Sequence, residues 1–168
     1  PVLSTLDQAP VTTSCGRLFD AISALLGVRS TVSFDGQAAM ELESAARGAG
    51  ASTPFVISDD AGLFVLDWRP AIRWVIEDGL SIGKERASAA FHLGLAEAIS
   101  DIALEISGKT GLTKVVLSGG VWQNRRLLNL AIAMLHKRGL ETLIHHSQSP
   151  NDECVSVGQA AIAAEHWR

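Results

Sequence analysis

The segment Lys114-Val-Val-Leu-Ser-Gly-Gly-Val-Trp-Gln-Asn-Arg-Arg-Leu-Leu-Asn129 changes its hydrophobic period halfway along. Val115, Val116 and Leu117 make a short apolar run with β-branched residues, as expected of a buried parallel strand. Ser118-Gly119-Gly120 breaks that run with two residues that adopt backbone angles closed to others. Beyond it, Leu128, Ala131, Ile132 and Leu135 recur at i, i+3, i+4 and i+7, one face of a helix. A strand, a glycine turn and a helix in this order bring backbone N–H groups and a positive helix end up to a phosphate or nucleotide. The same parts also close a tight βα turn with no ligand, and neither a Walker lysine nor a GxGxxG accompanies them.

Upstream of this segment the longest helix runs from Lys84 to about Ser107, with Phe91, Leu95, Ala98, Ile102 and Ile106 as its apolar stripe. Downstream, the helix ends at Gly139, Leu140 to His145 form a second strand, and Gln148-Ser-Pro-Asn-Asp152 is the loop after it. A final helix spans about Glu153 to Trp167, with Val155, Gly158, Ala161 and Ile162 inward. Nearer the start, residues 1–13 read as a lead-in, and a helix over 14–27 buries Leu18, Ile22 and Leu25 or Leu26. Arg17 and Asp20 are spaced to pair on its surface. The turn Phe34-Asp-Gly-Gln37 leads into a helix over Ala38 to Ala46, stopped by Gly48-Ala-Gly50. Pro54 to Ile57 and Leu63 to Leu66 flank Asp59-Asp-Ala-Gly62 as a hairpin. Trp68-Arg-Pro70 then opens a short helix with Ile72, Val75 and Ile76 on its apolar side and Gly79 at its end. The expectation is one α/β domain over 1–168, rich in helices around a small mixed sheet. A sheet so thin for its helices borrows strands or stacks against another lobe.

Composition narrows the class. The hydrophobic share of 47% against 19% charged residues, over 168 residues, suits a chain that buries a core and excludes a disordered one. A net charge of −4 with scattered basic residues argues against a nucleic-acid surface. Cys15 and Cys154 lack CxxC spacing, which fits a reducing cytosol and makes no zinc site. No charged-plus-apolar leader and no apolar run of membrane-spanning length is apparent, so a cytoplasmic protein without a membrane partner is expected.

Among polar candidates, Asp152 in Ser149-Pro-Asn-Asp-Glu153 precedes a helix. It fits an N-cap first, and second a carboxylate ligand to a hard cation. Glu41 and Glu43 read as a solvated helix face, and His92 as a surface or satisfied core residue. His145 and His146 are neighbours at a strand end, point to opposite faces and do not easily share a metal. There is no HxxxH, HExxH or Ser/His/Asp set, and no residue takes a catalytic role.

Thr13-Ser-Cys-Gly-Arg-Leu-Phe-Asp-Ala21, Gly36-Gln-Ala-Ala-Met-Glu41, Ala90-Phe-His92, Leu117-Ser-Gly-Gly-Val-Trp-Gln-Asn-Arg125 and Pro150-Asn-Asp152 with Gly158-Gln-Ala-Ala161 follow one another in order. Together, over nearly the whole chain, they resemble the C-terminal end of the HypF carbamoyltransferases of nickel–iron hydrogenase maturation. That resemblance implies the second lobe of a TsaD-like domain with the two-lobed actin/hexokinase-like (ASKHA) ATPase fold. It further implies that carbamoyl phosphate and ATP give a carbamoyl-adenylate, whose carbamoyl group passes to the C-terminal cysteine thiolate of HypE. By motif, Asp20, Gly36 and Glu41 would hold the ribose. Ser118, Gly119, Gly120 and Asn124 would line the adenine and phosphate side. Asp152 would be a ligand of a divalent metal (Mg, Zn or Fe) shared with an absent lobe.

Three departures qualify this. The HxxxH pair of the family's metal site is missing, as are the acylphosphatase-like, zinc-finger and YrdC-like domains, and Glu153 and Cys154 stand where the family usually has two glycines. The chain is therefore expected to supply half a nucleotide cleft and one metal ligand, to be inactive alone, and to need HypE and the remaining HypF domains as partners. The runner-up is a non-catalytic module that forms a homodimer, or docks on a first-lobe partner, through the face a missing lobe would cover. A third expectation is transfer to a different acceptor such as a hydroxyl.

Overall fold

Over its first half, helix α5 (Lys84–Thr110) is sealed on nearly every side: Ala87, Ser88, Ala90, Phe91, His92 and Leu95 are all buried. A helix apolar all round is a core helix. The computed structural model describes residues 11–48 and 50–167, so most of the expected lead-in, and Ala49 of the Gly48-Ala-Gly50 stop, lie outside the described residues. The expected stripe holds at Phe91, Leu95 and Ala98, after which α5 emerges, and Ile106 is exposed. By length and composition α5 is apolar enough to cross a membrane, which corrects the expectation of no such run; 61% of its most apolar window is buried inside the protein. It also runs past Ser107, because Gly108 keeps helical angles and the left-handed cap falls at Gly111, φ 74°.

Three helices wrap this axis: α1 (Cys15–Leu25), α2 (Gln37–Ala45) and α6 (Arg125–Lys137). Phe19 of α1 meets Phe91 edge-on with ring centroids 5.0 Å apart. The Ser88 hydroxyl donates to the Leu42 carbonyl, tying α5 to the end of α2. On α6 the buried ridge is Leu127, Ala131 and Leu135, while Leu128 and Ile132 are half-buried, so the inward face sits one residue round from the expected one.

The strands divide into two ladders. The hairpin β1 (Val56–Asp60) and β2 (Leu63–Asp67) is antiparallel; β3 (Lys114–Leu117) and β4 (Glu141–Ile144) are parallel, with Leu117 opposite Ile144. Ala61 and Gly62, φ 52° and 90°, supply the two positive angles that a two-residue hairpin turn requires. The short helix after the hairpin does not end at Gly79. Instead α3 (Arg69–Trp74) passes through a π turn (Val75–Gly79) into α4 (Leu80–Ile82), and Gly83, φ 89°, stops it. Gly79 is small for packing reasons: a Cβ there would lie 3.3 Å from the Trp74 ring.

The last helix, α7 (Val155–His166), corrects another expectation. Val155, Gly158, Ala161 and Ile162 do not point inward; no residue of α7 is buried, and Ile162 is 65% exposed. Among the described residues, none covers its apolar side chains.

Two buried contacts fix how α5 meets its neighbours. A Cβ on Gly94 would lie 2.2 Å from the Thr53 carbonyl oxygen, and the Thr53 amide donates to the Ala90 carbonyl at 3.1 Å. The segment before the hairpin thus lies directly against the helix backbone. His92 is fully buried, with Nδ1 2.7 Å from the Ser88 carbonyl and Nε2 2.9 Å from the Asn124 amide nitrogen. A carbonyl only accepts, so Nδ1 carries the proton and Nε2 is the bare acceptor for Asn124. Burial, with the Arg126 charge adding to it, pushes the His92 pKa down to about 4.

Gly94→Ala is expected to cost roughly 3 kcal/mol or more in urea unfolding at pH 7, since backbone must move to admit the methyl. Gly108→Ala, facing open space within the same helix, should instead stabilise by about 0.5–1 kcal/mol. The unfolded chain protonates His92 near its ordinary 6.5 while the folded one resists to about 4. This contribution is therefore complete above pH 6.5 and is lost as pH falls towards 4, roughly 3 kcal/mol in all. Between pH 7 and 4.5 the urea midpoint should drop further for wild type than for His92→Leu.

Candidate functional site

The expected ribose group assembles where α1, the turn before α2, and α2 meet. Asp20 on α1 pairs with Arg17 at 2.9 Å, as its spacing foretold, and Arg17 also reaches Asp35 at 3.5 Å. Gly36 follows with φ 78°, a left-handed angle that turns the chain into α2. Glu41, one turn along, is gripped rather than solvated: Arg29 Nε donates to Oε2 at 2.8 Å, and Arg29 Nη2 to Oε1 at 2.7 Å. Gln37 Nε2 adds a third bond to Oε1 at 3.0 Å. The Arg29 guanidinium holds the Glu41 carboxyl below the usual carboxylate range. Glu43 is not a solvated face either, since its carboxylate accepts the Arg126 amide at the start of α6, 3.1 Å.

The glycine turn leaves β3 through Ser118 and Gly119, whose φ of 106° only glycine adopts easily. The Gly119 amide donates to the Pro150 carbonyl at 2.8 Å. Ser118 Oγ lies 3.0 Å from His145 Nε2, and Gln123 Nε2 donates to Ser149 Oγ at 3.3 Å. Turn and 145–152 loop are therefore one unit, which brings Asp152 next to the glycines. A 3-10 turn (Gly120–Gln123) then intervenes before α6.

The positive end of α6 is partly taken up within the chain. Asn124 Oδ1 caps it by accepting the Leu127 amide at 2.9 Å, Glu43 takes the Arg126 amide, and one Asn124 N–H is spent on His92. Two of the amides that open α6 are thereby engaged within the chain. This arrangement leaves Asn124 one N–H for any base. Among the described residues no acceptor meets the amides of Gly120 and Val121, which begin a helical turn.

Asp152 is exposed, and the cap of its 3-10 turn is Asn151, whose Oδ1 accepts the Glu153 amide at 3.0 Å. The cap expected of Asp152 thus belongs to its neighbour. Among the described residues no three His, Cys, Asp or Glu side chains gather to hold a metal. On this chain Asp152 fits a hard cation as a single oxygen ligand and does not complete a site. Cys154 Sγ faces the Asn151 carbonyl at 3.2 Å. Burial pushes the Cys15 thiol up to about 11, which keeps it protonated and unreactive.

Sequence reasoning missed a hollow of about 350 Å³ beside the turn, lined by Leu117, Trp122, Gln123, Arg125, His145 and Pro150. Its walls come from the turn and from the loop after β4, so no local pattern marks it. Another hollow, about 400 Å³ and built on Trp68, Arg69, Ile72 and Arg73, contains none of the candidate residues.

Residues 2–159 match the family described as carbamoyltransferase, Kae1-like domain, second subdomain. The chain is 36% identical over 157 residues to carbamoyltransferase HypF of Rhizobium leguminosarum bv. viciae, covering 93% of this chain and 20% of that protein. It is 35% identical over 164 residues to carbamoyltransferase HypF of Synechocystis sp., covering 95% and 21% respectively. Among solved structures, full-length HypF in its phosphate- and nucleotide-bound form superposes with a TM-score of 0.88 at 39% identity, over 98% of this chain and 22% of that one. The chain thus spans about a fifth of the length of these relatives. With helices and small ladders arranged as in HypF, the chain belongs to the HypF carbamoyltransferase family, as the second subdomain of its Kae1-like domain.

Proposed function

We propose that this chain supplies part of the nucleotide and metal site for a carbamoyl transfer in nickel–iron hydrogenase maturation. The observation that carries this is the 2.8 Å bond from the Gly119 amide to Pro150, which sets the glycine turn against the loop of Asp152. The Glu43–Arg126 contact brings α2, and with it Glu41, to the start of α6. Support also comes from the relative of the same fold whose bound ligands are a phosphate and a nucleotide.

In this proposal carbamoyl phosphate and ATP give a carbamoyl-adenylate in another domain of the full protein. The C-terminal cysteine thiolate of a HypE-type partner attacks the carbamoyl carbon; a C–S bond forms, the bond to the adenylate phosphate breaks, and AMP leaves. Asp20 and Glu41 accept from ribose hydroxyls, since carboxylates suit them as acceptors. The Gly120 and Val121 amides face the phosphate side with Ser118. Asp152 contributes one oxygen to a divalent cation (Mg, Zn or Fe) whose other ligands lie outside this chain. The protein works in the cytoplasm beside the remaining HypF domains, and alone it does not turn over.

Calorimetric titration with ATP and Mg²⁺ should show binding of about 1 mM or tighter. Glu41→Ala should weaken it about tenfold, the loss of one charge-assisted hydrogen bond, and Gly119→Ala should weaken it by a similar factor by straining the turn. Equal affinity in all three proteins would sink the assignment. Incubated with a HypE-type acceptor, ATP and carbamoyl phosphate, the chain should leave the acceptor mass unchanged; a carbamoyl mass gain would refute inactivity.

One observation favours the second reading, a non-catalytic interaction or dimerisation module. Val155, Val157, Ile162 and Trp167 are exposed together at the C-terminal end, Trp167 to 90%. Sedimentation velocity over a concentration series tests it: a dimer dispersed by Ile162→Glu, with no ATP binding, would favour the module.

A further inference from the structure

Glu41 has more partners than a surface carboxylate needs. An ionised carboxylate has four acceptor positions, two on each oxygen. Arg29 Nη2 and Gln37 Nε2 fill both positions of Oε1, and Arg29 Nε fills one of Oε2. Gln37 is itself held: its Oε1 accepts the Ser33 amide at 2.7 Å, so its NH₂ group must face Glu41. One acceptor position is left, on Oε2. The pair is about a third exposed on each side, 40% for Arg29 and 33% for Glu41, so a ligand can reach it.

We infer that Arg29 and Gln37 are positioning residues that present Glu41 as an acceptor for a single ribose hydroxyl. This rests on the nucleotide assignment above and deepens it. A carboxylate free to rotate would chelate both hydroxyls of the ribose or neither; one locked by a two-pronged guanidinium offers one direction only. The arginine also cancels the carboxylate charge, so a polyanionic nucleotide approaches without repulsion from this residue. A bland alternative is that Arg29–Glu41 only staples the loop after α1 to α2. Half-exposed ion pairs contribute little to stability. The two roles therefore separate: a staple alters melting but not ligand choice, whereas a positioning residue alters ligand choice at nearly constant melting temperature.

The test is titration of the full chain, with Mg²⁺, against ATP, 2′-deoxyATP and 3′-deoxyATP, with thermal unfolding in parallel. Wild type should prefer ATP by about tenfold over the deoxynucleotide that lacks the hydroxyl facing Glu41, the loss of one charge-assisted hydrogen bond. Glu41→Gln and Arg29→Met should both shrink that preference to within about twofold. Gln37→Leu, which leaves the guanidinium fork in place, is the second variant and should shrink it less. If wild type binds none of the three nucleotides, or binds them equally, the nucleotide assignment of Glu41 falls and this inference with it. If wild type discriminates and Glu41→Gln does not, but Arg29→Met and Gln37→Leu keep the full preference, the assignment stands and the positioning role is overturned. Loss of discrimination in Arg29→Met at an unchanged melting temperature supports it.

Discussion

His92 has both ring nitrogens committed and no access to water, and the geometry of the site hangs from it. One nitrogen is fixed to its own helix, the other to the carboxamide of Asn124. Asn124 in turn caps α6 with its oxygen, so the amide is held at both ends and its orientation is not free. The residue that ends the 3-10 turn is thereby anchored to the core helix. The turn's other end is held by Gly119 on Pro150, and a Cβ added at Gly120 would lie 3.7 Å from the Asn151 Cβ. A continuous path of bonds therefore runs from the centre of α5 to the loop of Asp152. Removing Asn124 leaves the buried His92 nitrogen unpaired, which costs more than the bond itself contributes.

Electrostatics on this lobe run opposite to the simplest picture of an anion site. The positive end of α6 is partly taken up by Glu43 and Asn124. Arg17 and Arg29 are engaged by Asp20, Asp35 and Glu41. The net charge is −4, and Arg125 lines the hollow beside the glycine turn. In the proposed function the turn amides, and a cation held in part by Asp152, would meet the phosphate.

Local spacing made much of this legible. The change of period between Leu117 and Leu128, the hairpin around Asp59 to Gly62 and the Arg17–Asp20 pair are all written within a few residues, and the structure has each of them. What escaped depends on partners far along the chain. Glu43 looked solvated because Arg126 lies 83 residues away, and the two roles of Asn124 depend on a histidine 32 residues earlier. Gly94 is inconspicuous in sequence, since only the arrival of Thr53 against α5 makes a side chain impossible there. Helix α7 failed for another reason: a helical apolar period announces a face to be covered and says nothing of what covers it. The candidate nucleotide residues were reached through the family's ordered motifs, because no spacing rule joins Glu41 to a glycine turn so far downstream.

The two halves of the candidate site differ in how finished they are. Around Glu41 every donor is in place without a ligand, so binding there orders nothing further and forfeits little entropy. Around Asp152 the reverse holds: one exposed carboxylate, no companion ligands among the described residues, and an adjoining helix with its apolar residues in solvent. A surface that is rigid on the nucleoside side and incomplete on the phosphate side discriminates the first before it can act on the second. In the proposed function a partner domain that completed the metal side and covered the apolar residues of α7 would gain hydrophobic burial with which to assemble the cation site. In the proposed function, recognition of the nucleoside therefore resides in this chain, while competence for transfer waits on its partner domain.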